Sequence, residues 1–171
     1  KGTTNGFVPA GHCTNGTGQN VRNSSNNVIG VTTTHSTSTD SSFVEMRNGY
    51  TMDQFSVSSF GNMLFYSTVN SSYAVVGADV IIYSRNGVHA GTITSLTYYV
   101  SYSSGGYTYS VNNTIRINAG IPGGTSGAAA IVMGMFDAHA VVGIAISSNG
   151  SGSSISKSSL INSALGITSA P

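Results

Sequence analysis

Charge is what this sequence has least of. Six Lys and Arg and five Asp and Glu serve 171 residues, 6% of the chain, against about a quarter in ordinary soluble domains. Gly, Ser, Thr, Asn and Tyr fill the polar positions instead, a composition unlike that of intracellular proteins. A formal net charge of +1 with no basic cluster leaves no electrostatic footprint for DNA, RNA or an anionic membrane. Long apolar runs are missing as well. Even SGAAAIVMGMF, followed by Asp137 and His139, falls short of the roughly 18–20 residues a membrane helix needs, so a soluble chain is expected. The opening KGTTNG has no apolar h-region, so the chain reads as a mature product or a cytoplasmic one. Five Asn-x-Ser/Thr sequons, at Asn15, Asn23, Asn70, Asn112 and Asn149, tip that choice toward a processed secreted chain and mark candidate glycosylation sites.

Metal-ligand spacing is absent too. The four histidines (His12, His35, His89, His139) and the single cysteine, Cys13, form no CxxC, no HExxH and no His pair on one helical face. No metal or cofactor is therefore expected. Among the five acids (Asp40, Glu45, Asp53, Asp79, Asp137) no spacing points to the paired carboxylates of a glycoside hydrolase. Asp53 and Asp137 read as turn acids, His35 as a loop residue, and His89 and His139 as structural or surface histidines.

What is present is strand and turn. NVIGVTTT, FVEMRNGY, MLFYSTV, YAVVGADVIIYS, GTITSLTYYVSY, YTYSVNNTIRI, GAAAIVM and AHAVVGIAIS are short β-branched or aromatic runs between Gly, Asn and Ser clusters, the pattern of an all-β sandwich or barrel. One helix is expected in SKSSLINSALGI, capped by Ser156 or Ser158, with Leu160, Ile161 and Leu165 as its apolar face and Gly166 as its stop. The length suits one compact unit or two β halves sharing an interface, with the polar stretch near Asn70–Tyr73 as their join. GIPGGTSGAAAIV sets Ser126 in a glycine-rich turn before an apolar strand. The backbone N–H groups of Gly124 and Ser126 then converge on one point, as an oxyanion hole requires.

Three segments, PAGHC (9–13), TDSSFVEM (39–46) and GGTSGA (123–128), resemble in the same order the signatures of chymotrypsin-fold serine proteases. The resemblance is nearest to the short bacterial secreted branch, the streptogrisin and alpha-lytic type, and extends over nearly the whole chain. It implies two six-stranded antiparallel β-barrels: residues 1–70 carrying His12 and Asp40, and residues 71–171 carrying Ser126, the substrate strand and a C-terminal helix. Ser126 would be the nucleophile, His12 the general base and then acid, and Asp40 the carboxylate that orients the imidazole. A serine hydroxyl needs such a base within hydrogen-bond reach, and imidazole, with a pKa of about 6.5, is neutral near working pH. Ala119, Gly120, Ile121 and Pro122 on one side and Ser147, Ser148 and Asn149 on the other would wall the primary pocket. With no acid or base in either segment, small to medium apolar side chains are expected there, in peptide or protein substrates.

The sequence also departs from that family. Thr125 stands where Asp is usual and cannot make that residue's buried ion pair, although flavivirus proteases share the Gly-Thr-Ser-Gly turn. Pro9 replaces a Thr, and Asn149 replaces a pocket-lining Gly, which narrows the pocket. The counterpart of Cys13 pairs with a cysteine on an upstream strand that is not in this chain. Two readings of Cys13 stay open: a disulfide to a separate, docked N-terminal segment that completes the first barrel, or a buried free thiol in a truncated barrel. Two function classes also stay open, a secreted serine endopeptidase and a protease-fold structural or binding protein with a relic triad.

Overall fold

A computed structural model describes residues 1–50, 56–57, 61–62, 67–133 and 139–168. The turn acids Asp53 and Asp137 lie outside the described residues. The first half is built on one hairpin, β3 (Val28–Ser36) and β4 (Ser41–Met46), whose register closes at Ser36 opposite Ser41. β3 is rich in β-branched residues and β4 brings Phe43 and Val44, side chains that fit a half-buried pleated surface. The short strands β1 (Gly6–Phe7) and β2 (Asn20–Arg22) flank it, giving the sheet order β1-β4-β3-β2.

The other strands follow in chain order. β5 (Ser56–Val57) and β6 (Gly61–Asn62) pair with each other as a two-stranded sheet. β7 (Ser67–Val69), β8 (Asp79–Ser84), β9 (Gly87–Ser104), β10 (Tyr107–Ile117), β11 (Ala129–Met133), β12 (His139–Asn149) and β13 (Gly152–Lys157) form a seven-stranded sheet. Its order is β11-β8-β9-β10-β13-β12-β7, with a further pairing of β11 to β12. His35 lies in β3 rather than in a loop, and His89 and His139 lie in β9 and β12.

The expected pair of six-stranded barrels is corrected by this topology: among the described residues the first sheet has four strands and the second has seven. Two causes are visible. Residues between β1 and β2 fold as the histidine turn and a loop with positive φ at Asn15, Gly16 and Gly18, which interrupts strand geometry. β7 joins β12 in parallel in the second sheet instead of extending the first.

Helix α1 (Ser158–Leu165) forms as expected and stops at Gly166 in the left-handed conformation, φ 60°. Its N-cap is Lys157, with no side-chain cap, because the preceding serines belong to β13. Ile161 and Leu165 bury into a cluster with Phe43 of β4, Val111 of β10 and Ile144 and Ile146 of β12. Each such side chain contributes about 1.5–3 kcal/mol relative to exposure. This cluster joins the two sheets, and the candidate site opens beside the ends of β9 and β12, across from the histidine turn.

Candidate active site

The histidine turn is a short 3-10 turn, Gly11–Cys13, entered through Ala10, which is bridged to Ser41 at the start of β4. Gly11 is required for this approach. A Cβ there would meet the backbone nitrogen of Ser41 at 2.9 Å and the carbonyl carbon of Asp40 at 3.1 Å. Asp40 closes the β3–β4 hairpin at φ 44°, a left-handed position that Asp tolerates better than most residues, and it is fully buried. The backbone N–H of His12 donates to Asp40 Oδ1 at 2.8 Å, and His12 Nδ1 lies 2.7 Å from Asp40 Oδ2. The carboxylate therefore fixes both the main chain and the ring of the histidine. The phenol of Tyr102, from β9, also donates to Asp40 Oδ2.

His12 and Ser126 line the same cavity of about 860 Å³. The loop that carries Ser126 turns at Gly124, whose φ of 81° favours glycine. Backbone and amide bonds anchor it: Asn86 Nδ2 donates to Gly123 O at 3.0 Å, Ala128 N to Thr125 O at 3.0 Å, and Gly127 N to Ala145 O at 2.8 Å. Thr125 is 1% exposed, and its hydroxyl has no hydrogen-bond partner among the described residues.

Of the seven expected pocket residues, Gly120, Ile121, Pro122, Ser147, Ser148 and Asn149 line this cavity. Ala119 does not; its carbonyl accepts from Ser153 Oγ at 2.6 Å and its side chain packs on the core. Ser148 and Ser153 hydroxyls both reach Ile121 N, at 2.9 and 3.1 Å, and so tie the pre-serine loop to β12 and β13. Cys13 is exposed and unpaired within the chain, which corrects the buried-thiol reading. All five sequon asparagines are exposed.

Three features escaped the sequence reading. Tyr102, Ser103 and Ser104, at the end of the long β9, line the cavity. Ile146 lines it too, at a register shift between Ala145 and Ser147. Arg116 is 8% exposed, lies over the Tyr98 ring at 4.7 Å, and donates to Asn149 Oδ1 at 2.6 Å, Ser151 Oγ at 3.1 Å and Ser154 Oγ at 3.3 Å. The only advance signal was a lone Arg in a strand-like run.

No protein-family profile and no curated sequence matches the chain. Solved structures do. A glutamic acid specific serine protease that uses a histidine triad in substrate binding is 29% identical, with a TM-score of 0.75 over 99% of this chain and 89% of its own. Cellulomonas bogoriensis chymotrypsin is 26% identical, with a TM-score of 0.70 over 96% of this chain and 86% of its own. Thermobifida fusca protease A, at 22% identity, matches with a TM-score of 0.72 over 95% of this chain and 83% of its own. The chain has the chymotrypsin-like serine-protease fold. That likeness supports a protease-like enzymatic function in general.

Within the protease fold the electrostatics of the His12 pair follow from its contacts. The hydrogen bond to Asp40, with a smaller contribution from neighbouring Cys13, raises His12 above the ordinary imidazole value, while burial opposes the shift. His35, by contrast, is lowered by burial; its Nδ1 lies 2.9 Å from Ser42 Oγ, and its ring packs on Tyr107 and Tyr109. Of the two histidines of this half, only His12 lines the cavity with Ser126.

Proposed function

We propose that the chain is a secreted serine endopeptidase of the streptogrisin and alpha-lytic type, cleaving peptide bonds through an acyl-enzyme on Ser126. The observation that carries this reading is the buried Asp40 holding His12 by two bonds, with the imidazole facing a cavity that Ser126 also lines. Asp40 fixes the proton on Nδ1, so Nε2 is free to take the Ser126 proton as Oγ attacks the carbonyl. The same proton is then delivered to the leaving amine. The N–H groups of Gly124 and Ser126 receive the negative oxygen of the tetrahedral intermediate. An extended peptide pairs with the backbone of Ser147 and Asn149 as one more strand.

At the primary pocket the reading is a preference for small to medium apolar side chains. Apart from His12, the cavity lining has no acid or base among the described residues and includes Gly120, Ile121, Pro122 and Ile146. A buried Lys or Arg side chain would find no counter-charge. Arg116 is engaged by Asn149, Ser151 and Ser154 and does not line the cavity. Secretion rests on the charge-poor, sequon-bearing composition.

The test is labelling with a fluorophosphonate probe. Wild-type protein labels at one serine, and Ser126→Ala abolishes labelling and lowers peptide turnover by about 10⁴–10⁶ while leaving the fold intact. A folded wild type that refuses the label overturns the enzyme reading in favour of a binding or structural protein.

A further inference from the structure

Tyr102 stands at a junction that the triad does not require. It projects from β9, opposite Tyr109 of β10, and its ring stacks on Tyr109 at 5.6 Å with an interplanar angle of 26°. The edge-to-face contact with His12 is at 5.8 Å and 81°. Its hydroxyl donates to Asp40 Oδ2, lies 3.1 Å from the carbonyl oxygen of Ile146 and is 3.5 Å from His12 Nδ1. Ile146 is the residue that the register shift of β12 on β13 leaves without a partner across the ladder.

A phenol has one proton and two acceptors here, and the carboxylate, carrying full charge, is the stronger one. Asp40 Oδ2 thus receives two donors, Tyr102 and the Nδ1–H of His12. Each donor weakens the other's claim on the same oxygen. Burial, the hydrogen bond to Asp40 and the negative charge of Asp40 all push the Tyr102 phenol above its ordinary value, so it is a donor at neutral pH.

Resting on the function proposed above, we infer that Tyr102 is a positioning residue: its hydroxyl clamps Oδ2 of Asp40 and so sets the basicity of His12. The clamp needs only the hydroxyl, since the ring is held independently by Tyr109.

The decisive measurement is an NMR titration of the His12 imidazole in wild type, Tyr102→Phe and Tyr109→Phe. It needs no turnover and so is independent of whether the chain is a protease. Loss of the Tyr102 donor concentrates negative charge on the bond to His12, so the His12 pKa rises by roughly half a unit, and fluorophosphonate labelling slows about tenfold. Tyr109→Phe removes a hydroxyl that lies near His35 Nε2, at 3.4 Å, and leaves the His12 titration unchanged. If Tyr102→Phe does not fold, 3-fluorotyrosine at position 102 keeps the shape with a stronger donor and moves the His12 pKa down. An unmoved His12 titration in Tyr102→Phe, or in the fluorinated protein, overturns the inference. A shifted His12 titration in Tyr102→Phe, with a wild type that refuses the label, sustains the clamp and removes the protease reading alone.

Discussion

Asp40→Asn isolates the electrostatics of the site with almost no change of shape. Asp40 offers Oδ1 to the His12 backbone N–H at 2.8 Å and Oδ2 to His12 Nδ1 at 2.7 Å and to the Tyr102 phenol. A carboxamide has one oxygen and one NH₂ group. If its oxygen keeps the His12 N–H, the NH₂ faces Nδ1, which must then accept; the imidazole proton moves to Nε2, and the nitrogen facing the cavity is no longer a base. The reversed amide sets NH₂ against the His12 N–H, donor to donor. The first orientation is favoured, because the Tyr102 hydroxyl can turn to Ile146 O and accept from the amide. The fold therefore survives and the tautomer is wrong. A loss of about 10⁴ in kcat follows, about 5.4 kcal/mol of transition-state stabilisation. With the Asp40 charge gone, His12 loses its largest support and burial opposes only the smaller contribution of Cys13, so the acid limb of labelling, above about 6.5 in wild type, falls toward that value. The stability difference has a matching sign. A raised His12 contributes stability that is complete below about pH 6.5 and is lost as pH rises through the raised value. The gap in Tm between wild type and variant is thus widest in acid and closes toward alkali. Labelling rates and thermal melts across that range are the assays. A variant that labels within tenfold of wild type, with an unmoved acid limb, would refute the reasoning.

Gly11→Ala pushes a methyl against the backbone of Ser41 and Asp40, which cannot yield as a side-chain tip would. It should cost about 1–3 kcal/mol in a denaturant melt and slow labelling; wild-type stability and reactivity would contradict the close approach. A peptide-library profile should favour small to medium apolar residues at the cleaved position and move toward larger aromatic ones in Asn149→Gly. Cleavage mainly after Arg, Lys or Glu would sink that assignment, and a Glu preference would point to Arg116.

Much of this molecule was legible one segment at a time. The β-branched runs set the strands, Gly166 set the end of α1, and PAGHC, TDSSFVEM and GGTSGA carry the histidine, the acid and the serine as local patterns. Local pattern works where one stretch of chain determines its own conformation. It failed at β13 (Gly152–Lys157), which is missing from the runs named as strands and whose end overlaps the expected helix segment, because serine is polar; yet Ser153, Ser154 and Ser156 are buried. Ser153 is accepted there by Ala119 O and Ser154 lies against Arg116, partners more than 30 residues away. The sheet topology failed in the same way: nothing in STV says that β7 will join β12 in parallel. Tyr102 and Asp40 are 62 residues apart, and no spacing in the sequence connects a phenol on a long hairpin to a carboxylate in another sheet. The residue types capable of the chemistry were determined by the sequence alone. Which oxygen each donor reaches was decided by the packing of two sheets around Phe43, Val111, Ile144 and Ile161, because hydrogen bonds and burial depend on distance in space rather than along the chain.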